Sequence, residues 1–268
     1  MSIYIVSHLR LKPPHDPGHR IMYVGPLSGQ SCPAKFAVTD ADLSPHIAHK
    51  NQTYCELTAL QQVARRHPAT SEDVVGLVHY RRRFVNGPKW LSQIIRSTQK
   101  SRWTRPFSNA LLEKHELTQS KAAELLNHCD VIVPRLSRLK ESIEQRYVES
   151  HHGEDWYKLR QLLIDQFPDY VPAFEQCARG HNIHHFNMFV ANSAFLQHYT
   201  PWLFSILDQL ESQIDLSGRD HFQIRVFGFL AERLFNVYLL KHTELTVLHL
   251  PIVQLFNESV VASSPAAG

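Results

Sequence analysis

Apolar residues along the chain fall into short runs, separated by stretches in which they recur every three or four positions. Ser2 to Ser7 carries Ile3, Ile5 and Val6, a β-branched run that predicts a buried strand. Asp73 to His79 predicts a second, Asp130 to Pro134 a third, Phe186 to Ala191 a fourth and Leu245 to Leu250 a last. Between them the spacing turns helical: Leu57, Leu60, Val63 and Ala64, then Ala122, Leu125 and Leu126 within Leu117 to Asn127. Trp156, Leu159, Leu163 and Phe167 predict another helix, Trp202 to Ile214 a long amphipathic one, and Phe229 to Lys241 a further one. Thr53-Tyr54-Cys55-Glu56 has the spacing of a capping box ahead of Leu57. Leu11 to Pro33, rich in Pro, Gly and His, reads as loop. Strands alternating with helices predict an α/β protein, a Rossmann-type mixed sheet flanked by helices. Such sheets bind ligands beyond the carboxyl ends of their strands. Attention therefore goes to Ser7-His8, His79 to Arg83, Pro134-Arg135 and Asn192.

Composition narrows the class. At 268 residues, 43% hydrophobic and 20% charged, the chain can bury a large core and is neither disordered nor fibrous. The pattern predicts a single domain over residues 1–258 and a small-residue tail over 259–268. A formal charge of +3 gives no support to nucleic-acid binding through Arg81 to Arg83 and the Lys100 to Arg105 stretch. Cys32, Cys55, Cys129 and Cys177 form no Cys-x-x-Cys pair, which suits a reducing compartment. Met1 to Arg10 shows no secretory signal, and Glu232 and Arg233 interrupt the apolar stretch Val226 to Leu240. The expected location is the cytoplasm, or the inner face of its membrane.

Four groups of residues carry candidate chemistry. Arg81, Arg82 and Arg83 follow a strand, where forked cations suit a phosphate or diphosphate, and His79 precedes them; the alternative is a solvated basic turn. Lys50, Arg65 and Arg66 read as plain surface charges. Asp40-Ala41-Asp42 could hold Mn²⁺ or Mg²⁺, but no strand is predicted before it and an ordinary Asx turn has the same sequence. His181, His184 and His185, with His151 and His152 upstream, lack further ligands at metal spacing; among 18 histidines coincidence is the better account. Gly228 reads as a turn into a helix whose early residues include Glu232 and Arg233, a candidate general base or a mere ion pair. No nucleophile elbow, Walker loop, Gly-x-Gly-x-x-Gly or kinase signature is present. Residue types and spacing end at an α/β protein with an anion-binding site.

Six blocks in order carry a resemblance: Ile3 to His8, Asn51 to Ala59, Gly76 to Phe84, Asp130 to Pro134, Asn187 to Val190 leading to Trp202-Leu203-Phe204, and Arg225 to Leu234. Together they resemble a bacterial family, the domain of unknown function numbered 4422, found in capsular polysaccharide and O-antigen synthesis proteins. The resemblance implies a GT-A-like glycosyltransferase, with galactofuranose transferred from UDP-galactofuranose to a saccharide or lipid-linked glycan, and peripheral contact with the membrane. In that frame His79-Tyr80-Arg81 takes the place of the Asp-x-Asp of other GT-A enzymes. No cofactor is then required, and Asp40 and Asp42 are kept in reserve for Mn²⁺ or Mg²⁺. Glu232 is the implied base of an inverting displacement, with Asp42 as substitute and His79 assisting. His8, Asn51, Tyr54, Arg81, Arg82, Asn187, Arg225 and Arg233 are the implied donor-binding residues. Two departures from the family pattern, at His46-Ile47-Ala48 and at Gln61 to Arg66, leave the donor sugar open. The departures at His46 and Ala48 also keep in play a non-catalytic nucleotide- or saccharide-binding module.

Overall fold

A computed structural model of the chain describes residues 2–68, 73–87 and 113–255. The predicted tail and the Lys100 to Arg105 stretch lie outside the described residues.

The architecture is a mixed α/β sheet, mostly parallel, flanked by helices. At its centre β1 (Ser2–Ser7) pairs in parallel with β2 (His19–Tyr23) on one side and β4 (Val74–His79) on the other. β3 (Ala37–Thr39) extends the sheet in parallel beyond β2. Beyond β4 come β9 (Phe189–Asn192), β6 (Val131–Pro134) and β10 (Val247–Leu250), in the order β10-β6-β9-β4-β1-β2-β3. Along that path only β9 runs against the rest. A short antiparallel extension, β5 (Arg82–Phe84) against β11 (Ile252–Gln254), branches from the end of β4, and β7 (Ser137–Arg138) pairs antiparallel with β8 (Asn182–Ile183) in a separate two-stranded sheet.

Period-two alternation sends Tyr4 and Val6 to one face of β1 and Ile3 and Ile5 to the other, and both faces are buried. A strand buried on both sides must be apolar throughout, which is why these runs stand out in the sequence. One face is covered by α2 (Leu57–Arg66), α4 (Ile143–Ser150), α5 (Gly153–Gln166), α6 (Val171–Arg179), α7 (Ser193–Glu211) and α8 (Val226–Lys241). The other packs against α3 (Gln119–Leu126). Caps satisfy free helix ends: Asn192 accepts from Phe195 N at α7, and Ser142 accepts from Gln145 N at α4. Among the described residues no helix is long and apolar enough to cross a membrane.

Several local expectations are corrected. The segment read as loop contains β2, and β3 does precede Asp40. Neither could be seen locally, because β2 is stabilised by pairing with β1 and β3 by pairing with β2. The capping box does not form: Thr53 Oγ1 donates back to Lys50 O, and the chain breaks into α1 (Asn51–Tyr54) and α2 at Cys55. Gly228 is not a turn but lies buried inside α8, where a Cβ would sit 3.2 Å from Cys55 Sγ. The predicted Trp202 helix begins earlier, at Ser193, and contains Pro201.

Chain direction decides where the site lies. From β1 the chain moves to β2 and β3 on one side, then returns to place β4 on the other. The crossover connections diverge between β1 and β4, and the crevice beyond their carboxyl ends is open to a ligand.

Candidate functional site

A cavity of about 480 Å³ occupies that crevice. Val6 and Ser7 from β1 with His8 after it, Val24 after β2, and His79 from β4 with Tyr80 after it form its floor. Asn51, Gln52, Cys55 and Glu56 wall one side, and Arg81, Arg82, His221 and Arg225 complete it. The α1–α2 break places the first wall. Cys55 has φ 53° and ψ −128°, a conformation that normally requires glycine, so two helices meet at an angle with their faces set independently. Four polar residues therefore reach the cavity while Leu57, Leu60 and Val63 enter the core. Asn51 staples the elbow by donating to Cys55 O at 2.7 Å and to Thr58 Oγ1 at 3.1 Å. Gly25, at φ +60°, lets the loop after β2 approach Asn51, whose Oδ1 would be 2.7 Å from a Cβ there.

The remaining wall is cationic. Arg81 lies over the Tyr80 ring at 5.0 Å, and Tyr80 meets His8 edge to face at 5.1 Å. Arg82 sits 3.9 Å above the Phe186 ring. Arg225 donates to Cys55 Sγ at 3.2 Å. The third arginine of the triplet leaves the site. β5 alternation turns Arg83 away, and it is buried against Glu116 at 3.1 Å while donating to His79 O. Burial, with Arg81 and Arg225 nearby, lowers the His8 pKa; burial, with Arg82 and Arg83, lowers that of His79 against the opposing pull of Glu56. Both imidazoles are neutral at pH 7 in the free protein. His79 Nε2 donates to Phe186 O at 2.7 Å.

Behind this wall is a strained corner. Phe186 has φ 80° and Asn187 φ 49°. Asparagine adopts this region readily, but phenylalanine does not, so the surroundings must hold it. Phe186 N donates to Glu232 Oε1 at 2.6 Å, and Asn187 Nδ2 donates to Glu56 Oε1 at 2.7 Å and to Gly228 O at 3.1 Å. Glu232 also meets Arg233 at 2.9 Å and His185 at 3.4 Å through Oε2. Burial opposes its ionisation, but Arg233, His185 and the Phe186 N–H outweigh it and hold the carboxyl at about 2.

Of the residues expected at the site, His8, Asn51, His79, Arg81, Arg82 and Arg225 line one cavity. The others do not line it. Glu232 and Asn187 stand one layer back, and Arg233 is buried with Glu232 beneath the Tyr147 ring. Tyr54 is wholly buried between Phe204 and Phe227, with its hydroxyl donating to Glu211. Asp40 is fully buried and accepts from Ser28 and Thr58, and burial pushes its carboxyl up. Asp42 accepts from Thr39 and pairs with Arg66 at 2.8 Å. His184 is buried, donates to Pro134 O and stacks on His249. Among the described residues no group of three His, Cys, Asp or Glu side chains could hold a metal ion. Sequence reasoning missed Cys55, Glu56 and His221 as lining residues. Cys55 and Glu56 had a signal, since both lie in the Asn51 to Glu56 run whose first residue was picked out; His221 had none.

The profile of the family described as Domain of unknown function (DUF4422) matches residues 2–243. No curated protein matches the chain. Among solved structures, the apo structure of the bifunctional glycosyltransferase WbbM superposes with a TM-score of 0.80 at 24% identity, over 100% of this chain and 47% of that one. The fold is shared, and this chain spans about half the length of that protein.

Proposed function

The chain belongs to the family described as domain of unknown function DUF4422, and from that premise we propose that it is a GT-A-like glycosyltransferase whose crevice holds the diphosphate of a UDP-sugar. The observation that carries this reading is the concentration of Arg81, Arg82 and Arg225, with His8 and His79, around one cavity at the strand-order switch point. Three guanidiniums supply fixed, forked donors for the diphosphate oxygens, and they act most strongly on the negative charge that grows as the sugar departs. His8, neutral in the free protein, gains a proton favourably once a diphosphate offsets Arg81 and Arg225.

The acceptor is a saccharide hydroxyl, free or on a lipid carrier, and UDP-galactofuranose is the donor to test first. Support for polysaccharide synthesis comes from the family blocks and from the fold shared with WbbM, whose description names it a bifunctional glycosyltransferase. The arginines take the part a divalent ion would play, because Asp40 and Asp42 are both engaged away from the cavity. The test is a thermal melt against UDP, other nucleotides and nucleotide sugars, with Mn²⁺ or EDTA. UDP at a hundred times its Kd stabilises the protein by about 2.7 kcal/mol, and EDTA leaves that shift intact. Loss of the shift in EDTA would bring a metal back; no shift with any nucleotide would sink the donor site.

A further inference from the structure

Among the described residues that line the cavity one is acidic, Glu56. Its two oxygens differ. Oε1 accepts from Asn187 Nδ2 at 2.7 Å, whereas Oε2 has no hydrogen-bond partner among the described residues. Glu232 is the reverse case: Phe186 N holds one oxygen, Arg233 and His185 hold the other, and it does not line the cavity. A proton acceptor needs an open lone pair at the site, and Glu56, which lines the cavity, has one at Oε2.

Asn187 is committed to aiming that carboxylate. Both groups facing its amide nitrogen, Glu56 Oε1 and Gly228 O, are acceptors, so only the NH₂ end can point there. Its own Oδ1 is left buried with no partner among the described residues, which costs stability. The arrangement favours orientation of Glu56 over satisfaction of the amide. Behind Asn187, Glu232 locks the backbone through Phe186 N.

We propose that Glu56 is the catalytic base of the transfer, that Asn187 positions it, and that Glu232 acts only by holding the Phe186–Asn187 corner. This rests on the donor-site reading above. In the step, an acceptor hydroxyl oxygen forms a bond to the anomeric carbon. The bond from that carbon to the diphosphate oxygen breaks, and its electron pair leaves with UDP against Arg81, Arg82 and Arg225. The hydroxyl proton passes to Glu56 Oε2. Arg82 and Arg225 attract the Glu56 charge across the cavity. With the diphosphate bound they balance the ligand instead, and protonation of Glu56 removes an excess negative charge. His8, which gains a proton as the diphosphate binds, then has no lone pair to offer, and His79 is engaged through Nε2 with Phe186 O.

The experiment pairs UDP binding by calorimetry with UDP release from UDP-galactofuranose and a panel of other UDP-sugars, in water and with added saccharides. Glu56→Gln and Glu56→Ala are expected to bind UDP at least as tightly as wild type while releasing it at least a hundredfold more slowly, the scale of a lost general base. Azide, an anionic nucleophile with no proton to lose, is expected to restore release in Glu56→Ala and not to accelerate wild type. Asn187→Gly keeps the positive φ and removes the hydrogen bond; kcat is expected to fall about tenfold with KM little changed. Turnover by Glu56→Gln within threefold of wild type overturns the base assignment, as does slow Glu56→Ala turnover that azide leaves slow. UDP binding by wild type without release from any donor overturns it too and leaves the diphosphate site standing. Failure of wild type to bind UDP removes the donor-site reading on which the assignment rests.

Discussion

Replacing Glu232 by glutamine separates a structural carboxylate from a chemical one. The Glu232 carboxyl has an ordinary value of 4.5 and is held at about 2 in the fold by Arg233, His185 and the Phe186 N–H, against the opposing effect of burial. A tenfold change in acidity is about 1.4 kcal/mol, so the ionised side chain stabilises the fold by about 3 kcal/mol at neutral pH. The sign follows from the lowered value: the contribution is complete above pH 4.5 and disappears as pH falls through about 2. Glutamine keeps the shape but not the charge and leaves the buried Arg233 without an anion. Urea unfolding of both proteins, followed by tryptophan fluorescence, is the assay. The expected deficit of Glu232→Gln is about 3 kcal/mol at pH 7 and about 2 kcal/mol at pH 3.5. UDP release, measured where both proteins are folded, is expected to fall less than tenfold, short of the hundredfold or more of a lost base. A deficit below about 1 kcal/mol at pH 7, or one that does not shrink in acid, refutes the electrostatic argument. A hundredfold loss of turnover with folding intact returns the base to Glu232.

Other perturbations probe separate parts of the molecule. Arg225→Ala removes a guanidinium that reaches the cavity beside Cys55 and is expected to weaken UDP binding 10- to 150-fold, worth about 1.5–3 kcal/mol, in calorimetry at low salt, with a smaller effect at high salt. Arg219→Ala strands Asp155, which is 1% exposed and bound bidentately at 2.6 and 2.8 Å; urea unfolding should show a loss of about 3–5 kcal/mol. Asp42→Ala breaks a surface pair with Arg66 and should cost no more than about 1 kcal/mol; the UDP melt shift should be the same with and without EDTA in this variant, and a new EDTA sensitivity would count against the metal-free site.

The central strands were legible because their sequences describe their surroundings. Ile3 to Val6, Val74 to Val78 and Val131 to Val133 are buried on both faces and must be apolar throughout, so a run of β-branched residues suffices to find them. The strand-end rule then located His8, His79, Arg81 and Arg82 without coordinates. His19–Tyr23 and Arg82–Phe84 carry too little apolar pattern to be strands by themselves; β1 makes the one, and β4 with β11 the other. That second pairing decides which arginines serve the cavity, since alternation on β5 sends Arg83 to Glu116 and leaves Arg82 over Phe186. Glu56 reaches the site because the helix breaks at Cys55, and the elbow is seated by close packing on Gly228, far along the chain. Sequence alone determined the class of fold and the charge at the strand ends, because both follow from local patterns of burial and residue type. Tertiary structure decided which carboxylate lines the cavity and which holds the wall behind it, because a side chain's direction depends on backbone breaks and distant partners that no local pattern encodes.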